Sequence, residues 1–168
     1  MKNISEDVLS RAAKVKLLLM DCDGVLTDGK IYFNEHGEET KAFNIKDGQG
    51  IVSLHRAGIL TGIITGRTFK ALDVRGAELG IRFVRQGCQD KVLEFENIIA
   101  DAGVTAEEAA FVGDDLPDIE LLKRAGLAVA VADAVPEVLE SAHYITSRNG
   151  GDGAIREIAD LILKARHS

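Results

Sequence analysis

The sequence predicts a single α/β domain over residues 1–168, a doubly wound, mainly parallel sheet with a small projecting β-hairpin and no separate cap domain. Three observations carry this expectation. Apolar runs of strand length alternate with helical patterns, the connections between them are short, and 168 residues with 46% hydrophobic content suffice for one core. In such a fold the reactive groups gather beyond the carboxyl ends of the strands.

Taken in order, Ser5 followed by Glu6 and Asp7 reads as a helix cap with acids on the positive end, and Val8, Leu9 and Ala12 form its apolar stripe. Leu17 to Met20 is a continuous apolar run that stops abruptly at Asp21-Cys22-Asp23-Gly24, the pattern of a buried parallel strand delivering carboxylates to its end. Ile31-Tyr32-Phe33 and Ala42-Phe43 flank Asn34 to Glu38 and read as a hairpin, whose aromatic residues need cover from the body or from another subunit. Asp47 is expected to cap a helix running to about Ala57, and Ile59 to Thr65 is a strand rich in β-branched residues. Helices follow over 68–79, 90–102, 116–125, 136–141 and 154–165, separated by strands over 82–85, 109–112, 128–131 and 144–146. Glycines 80, 103 and 126 stand where helices should stop.

A net charge of -7 argues against a general nucleic-acid or anionic-membrane surface, so an anionic substrate must be met by a local cationic pocket. The two cysteines, Cys22 and Cys88, make no disulfide framework, the amino terminus has no signal-like apolar core, and no apolar run approaches the roughly 18 residues of a membrane span. A cytoplasmic location is expected.

Four strand ends carry related chemistry: Asp21-Cys22-Asp23-Gly24, Thr65-Gly66-Arg67, Lys91 after the third strand, and Gly113-Asp114-Asp115. Asp21 and Asp23 point the same way on a strand, and two like charges that close call for a cation between them or for pKa values driven apart. Asp21, Asp23 and Asp114 offer the hard oxygen ligands that Mg²⁺ prefers. Thr65 adds a hydroxyl and Lys91 a fixed positive charge, and the amides of Cys22, Asp23 and Gly66 add donors, together a phosphate cradle with a metal. A calcium loop also begins Asp-x-Asp, but Val25 and Tyr32 stand where its later oxygen ligands belong. Asp115 reads either as metal support or as an acid capping a helix, Asp118 as a structural acid in the first turn of that helix, Cys22 as an inert core thiol, and none of the four histidines as catalytic.

The ordered set DxDG, TGR, Lys and GDD resembles the motifs of the haloacid dehalogenase-like phosphotransferases. The resemblance implies that Asp21 attacks phosphorus to form an aspartyl-phosphate, that Asp23 acts as acid and then base, and that Mg²⁺ bridges Asp21, the Asp23 carbonyl and Asp114. Neither gap between motifs has room for a full cap. More narrowly, DGVLTDGKIYFNEHGEETKAFNIKDGQGI, ITGR, QGCQDK, FVGDDLPD and GGDGAIREIADLIL are similar to the 3-deoxy-D-manno-octulosonate 8-phosphate phosphatase family, which implies a homotetramer with the hairpin at subunit contacts and a role in lipopolysaccharide precursor synthesis. By motif, the sugar acid is then met by Asn44, Ile45, Lys46, Asp47 and Gly48, by Gly66, Arg67 and Arg75, and by Asp23, Thr65 and Lys91. A related family acting on a nine-carbon sugar acid 9-phosphate tends to carry glutamate at the position of Arg67, which favours the eight-carbon substrate here. Gly150 to Gly153 matches that family's carboxyl-terminal signature and equally fits a plain loop before a helix. Two other classes are a phosphate-receiving regulatory module, disfavoured because no acid ends the 59–65 or 82–85 strand, and a non-catalytic assembly protein, disfavoured by Asp21 and Asp23 together.

Overall fold

The structure, a computed structural model, describes residues 4–167. Its elements run α1 (Glu6–Ala13), β1 (Leu17–Met20), β2 (Tyr32–Phe33), β3 (Glu39–Thr40), α2 (Ile45–Arg56), β4 (Leu60–Ile64), α3 (Lys70–Leu79), β5 (Phe83–Arg85), α4 (Lys91–Ala102), β6 (Ala109–Gly113), α5 (Ile119–Arg124), β7 (Leu127–Ala130), α6 (Pro136–Ser141), β8 (Tyr144–Ile145) and α7 (Ala154–Arg166). The six longer-range strands form one parallel sheet in the order β5-β4-β1-β6-β7-β8, and β2 and β3 pair separately as an antiparallel ribbon.

β1 lies at the centre because Leu17 to Met20 is apolar at every position, and such a strand is stable only with both faces covered. Met20 is level with Ile63 of β4 and Val112 of β6, so all three strands release the chain at the same edge. That shared edge is where Asp21, Thr65 and Asp114 follow. α7 packs on α1 and α2 through Ile155, Ile158, Ala159 and Ile162, while α5 contacts α4 and α6. Each of the three fully buried isoleucines contributes about 1.5–3 kcal/mol.

Local chemistry explains the element ends. Ser5 caps α1 by accepting from the Val8 amide, and Gly80 and Gly103 close α3 and α4 in the left-handed region, as their sequence positions suggest. Two expectations are corrected. The second hairpin arm is Glu39–Thr40 and not Ala42-Phe43, because the Asn34 side chain accepts from the His36 and Glu38 amides, both at 2.9 Å, and closes the turn early. Phe43 is thereby freed to pack against the core. Helix α2 is capped by Asn44, whose Oδ1 accepts from Lys46 N at 2.8 Å, and begins before Asp47. Among the described residues no helix is long and apolar enough to cross a membrane.

Candidate active site

Asp21 leaves β1 with its amide donating to the Val112 carbonyl at 3.1 Å, so the ladder with β6 still fixes the backbone that presents the carboxylate. Across the strand edge Asp90 caps α4 by accepting from Leu93 N, which sets Lys91 on the first turn with its ammonium turned inward. Lys91 Nζ donates to Asp21 Oδ2 at 3.0 Å and to Asp118 Oδ1 at 2.8 Å. Asp118, fully buried, uses its other oxygen to accept from the Asp114 amide at 3.0 Å, and so fixes the turn that follows β6.

Carboxylate oxygens of Asp21, Asp114 and Asp118 lie within 4.8 Å of one another. The approach is close enough to dictate sequence: Gly24, at φ +82°, has no Cβ, and one placed there would overlap the Asp114 carboxylate. Burial, reinforced by the Asp118 charge and opposed by Lys91, pushes the Asp21 carboxyl up to about 7. Burial, followed by the charges of Asp21, Asp118 and Asp115, pushes Asp114 up to about 8. Lys91 is disfavoured by burial, yet Asp21 and Asp118 outweigh it and hold the ammonium above its usual pKa. Asp114 Oδ1 is buried without a hydrogen-bond partner. Crowded carboxylates and an orphaned buried oxygen are the donor set of a hard divalent cation, and the residues fit one.

Asp21, Lys91 and Asp114 line a cavity of about 770 Å³ together with Asp23, Thr65, Gly66, Arg67, Cys88 and Asp115, whereas Asp118 is fully buried behind them. The structure thus brings together Asp21, Asp23, Thr65, Gly66, Arg67, Lys91 and Asp114 from four strand ends. The Asp23 carboxylate pairs with Lys41 Nζ at 2.5 Å and lies 3.6 Å from Arg67, and it is not one of the three carboxylates gathered around Asp21. Asp115 caps the turn over 116–118 by accepting from the Leu116 amide. Cys22 is buried, and burial raises its thiol pKa far above the ordinary value.

Glu39, Lys41 and Asp118 belong to this neighbourhood, and the strand-end reading did not single them out as its chemistry. Lys41, with a side chain only 1% exposed, bridges Asp23 and Glu39 and sits 4.3 Å over the Phe69 ring. Glu39 holds Arg67 by two parallel hydrogen bonds of 2.9 and 2.8 Å. Its alternation with Lys41 at the end of a hairpin is the one signal that could have pointed inward.

Asn44, Ile45, Lys46, Asp47, Gly48 and Arg75 are not among the residues lining this cavity. α2 carries the first five away toward α7. Ile45 is 83% exposed, whereas the Asp47 carboxylate is buried and accepts from the Arg156 amide at 2.9 Å and the Gly153 amide at 3.4 Å, capping α7 from outside. Gly48 is buried directly beneath the Arg75 guanidinium, which pairs with Glu78 at 2.8 Å. The Gly150 to Gly153 segment buttresses the acidic turn: Gly151 N donates to Val25 O at 2.9 Å, and Gly150 N to Asp133 at 2.9 Å.

A profile of haloacid dehalogenase-like hydrolases matches residues 80–158. The chain is 47% identical over 163 residues to the 3-deoxy-D-manno-octulosonate 8-phosphate phosphatase KdsC of Yersinia pestis, spanning 97% of this chain and 87% of the relative. It is 44% identical, over the same shares, to the enzyme of that name from Escherichia coli K12. Among solved structures, the Y. pestis phosphatase superposes with a TM-score of 0.94 at 47% identity, covering 96% of this chain and 88% of that one. The Moraxella catarrhalis phosphatase, solved with a magnesium ion, a phosphate ion and a KDO molecule, superposes with a TM-score of 0.93 at 40% identity, covering 96% and 92%. The cobalt-bound phosphatase of Haemophilus influenzae gives 0.90 at 38% identity, covering 94% and 92%.

Proposed function

Because this chain belongs to the haloacid dehalogenase-like hydrolases, within the 3-deoxy-D-manno-octulosonate 8-phosphate phosphatases, we propose that it is a phosphoric monoester hydrolase that cleaves 3-deoxy-D-manno-octulosonate 8-phosphate to the free sugar acid and phosphate, with Mg²⁺ as its cofactor, in lipopolysaccharide precursor synthesis. The observation that carries this reading is the gathering of the Asp21, Asp114 and Asp118 carboxylates around Lys91, with Asp21, Asp114 and Lys91 open to the cavity.

In the proposed reaction Asp21, Asp114 and the Asp23 carbonyl would hold the cation. When bound, Mg²⁺ supplies positive charge to the phosphoryl oxygens and keeps the carboxylates ionised. Asp21 attacks phosphorus as the bond to the sugar oxygen breaks, and Asp23 gives that oxygen its proton. Water then attacks the aspartyl-phosphate, Asp23 takes up the water's proton, and phosphate leaves with Asp21 regenerated. Thr65, the Gly66 amide and Lys91 are the groups proposed to grip the phosphoryl oxygens, and Lys91 also favours the ionised form of Asp21. Arg67, beside Asp23 at the cavity wall, is proposed to take the substrate carboxylate through its planar fork.

A nine-carbon sugar acid 9-phosphate is the second reading, and the arginine at position 67 weighs against it. Homotetrameric assembly through the hairpin is supported by the exposure of Ile31 (54%), Phe33 (65%) and Ile45 (83%), and the place of Asn44, Ile45 and Lys46 in substrate binding is proposed to be at such a subunit contact. A cytoplasmic location is proposed, supported by the acidic composition and by the free thiols of Cys22 and Cys88. Phosphate release from a panel of sugar phosphates, with and without EDTA, tests the reading: the eight-carbon acid is to be preferred, and EDTA is to abolish turnover.

A further inference from the structure

The Arg67 fork is already filled by a carboxylate of the chain itself. Glu39 accepts from both terminal nitrogens, Nη1 at 2.9 Å and Nη2 at 2.8 Å, in an end-on, two-point arrangement open equally to an external carboxylate. We propose that Glu39 is a specificity-determining residue, an internal carboxylate that occupies the Arg67 fork until the carboxylate of the substrate displaces it. The inference rests on the proposed role of Arg67 toward a sugar acid.

The surroundings suit an exchange. Arg67 is 44% exposed at its side chain, so an incoming anion can reach its free edge, whereas Glu39 approaches from the hairpin side and is 18% exposed. A displaced carboxylate must keep a partner or be stranded among acids. Lys41 supplies that partner, 2.9 Å from Glu39 Oε1 and anchored in place by Asp23 and the Phe69 ring. Lys41 therefore holds Glu39 near the site after release, ready to close on Arg67 again. A phosphate ester without a carboxylate has no reason to disturb this pair, so Glu39 lowers apparent affinity for sugar acids alone.

The test compares kcat/KM for 3-deoxy-D-manno-octulosonate 8-phosphate with kcat/KM for p-nitrophenyl phosphate in the parent and in Glu39→Gln. The ratio is expected to rise about threefold to fivefold, the size of a part-exposed ion pair, through a lower KM for the sugar acid. Inhibition of p-nitrophenyl phosphate hydrolysis by pyruvate is expected to strengthen by a similar factor. Glu39→Ala must move both readouts in the same direction, and in an Arg67→Met background Glu39→Gln must leave the ratio where it was. A ratio that stays level or falls overturns the proposal and makes Glu39 a support for Arg67 instead. If the parent fails to hydrolyse the 8-phosphate, the proposed function fails, yet pyruvate inhibition still decides the role of Glu39.

Discussion

Replacing Lys91 by Met isolates the electrostatics on which the site depends. The lysine side chain is 11% exposed and its partners Asp21 and Asp118 are 12% and 0% exposed, so its removal leaves two buried carboxylates facing each other with no cation between them. Breaking a buried pair in this way costs about 3–5 kcal/mol. Asp21 can relieve part of that cost by taking up a proton, which its raised pKa makes easy, so we place the loss at about 3 kcal/mol at pH 8 and less at pH 6. For a chain of 168 residues each kcal/mol moves Tm by about 2–4 °C, so the variant should melt roughly 6–12 °C below the parent at pH 8. Scanning calorimetry of the metal-free proteins at both pH values reads the difference directly. Added Mg²⁺ should narrow the gap, since a dication beside Asp21 replaces part of the missing charge. A variant that melts with the parent at pH 8 refutes the claim that Lys91 compensates two buried carboxylates.

Three further outcomes follow from the same geometry. Asp21 and Asp114 have raised pKa values of about 7 and about 8, so the metal-free fold holds protons that the unfolded chain releases near pH 4. Its stability therefore falls as pH climbs from about 4 toward 8, and the Tm increment on adding Mg²⁺ should grow over about pH 5.5 to 8.5; an increment independent of pH contradicts the shared site. Asp23→Asn should cut kcat by about a hundredfold or more while Mg²⁺ still raises Tm, a separation that a loss of metal binding would not produce. Asp47→Ala orphans the Gly153 and Arg156 amides at the start of α7 and should cost about 1–2 kcal/mol in urea denaturation, whereas an unchanged midpoint would show that the cap contributes nothing.

The sheet was legible because buried parallel strands read as near-continuous apolar runs: Leu17 to Met20 and Ala109 to Val112 are apolar throughout, and Leu60 to Ile64 is broken only by Thr61 and Gly62. The core of the site was legible for a related reason: Asp21, Thr65 and Asp114 stand immediately after such runs, so locating the strands located the carboxylates. Side chains acting away from their own strand end were not. Asp118 looks like a surface acid in a helical turn, and only the return of the chain beneath Asp114 buries it. Glu39 and Lys41 depend on how the hairpin folds back, which the Asn34 turn decides and hydropathy does not register. Asp47 was expected as a cap on its own helix and as a substrate contact, and it caps a helix more than a hundred residues later.

The covalent role of Asp21 is tested most directly by quenching the enzyme in acid during turnover of the 8-phosphate, reducing with borohydride and mapping the peptides by mass spectrometry. An aspartyl-phosphate is converted to homoserine, which is expected at position 21 in the parent and nowhere in Asp21→Asn. Homoserine at Asp23 or Asp114, or full turnover by Asp21→Asn, would contradict it.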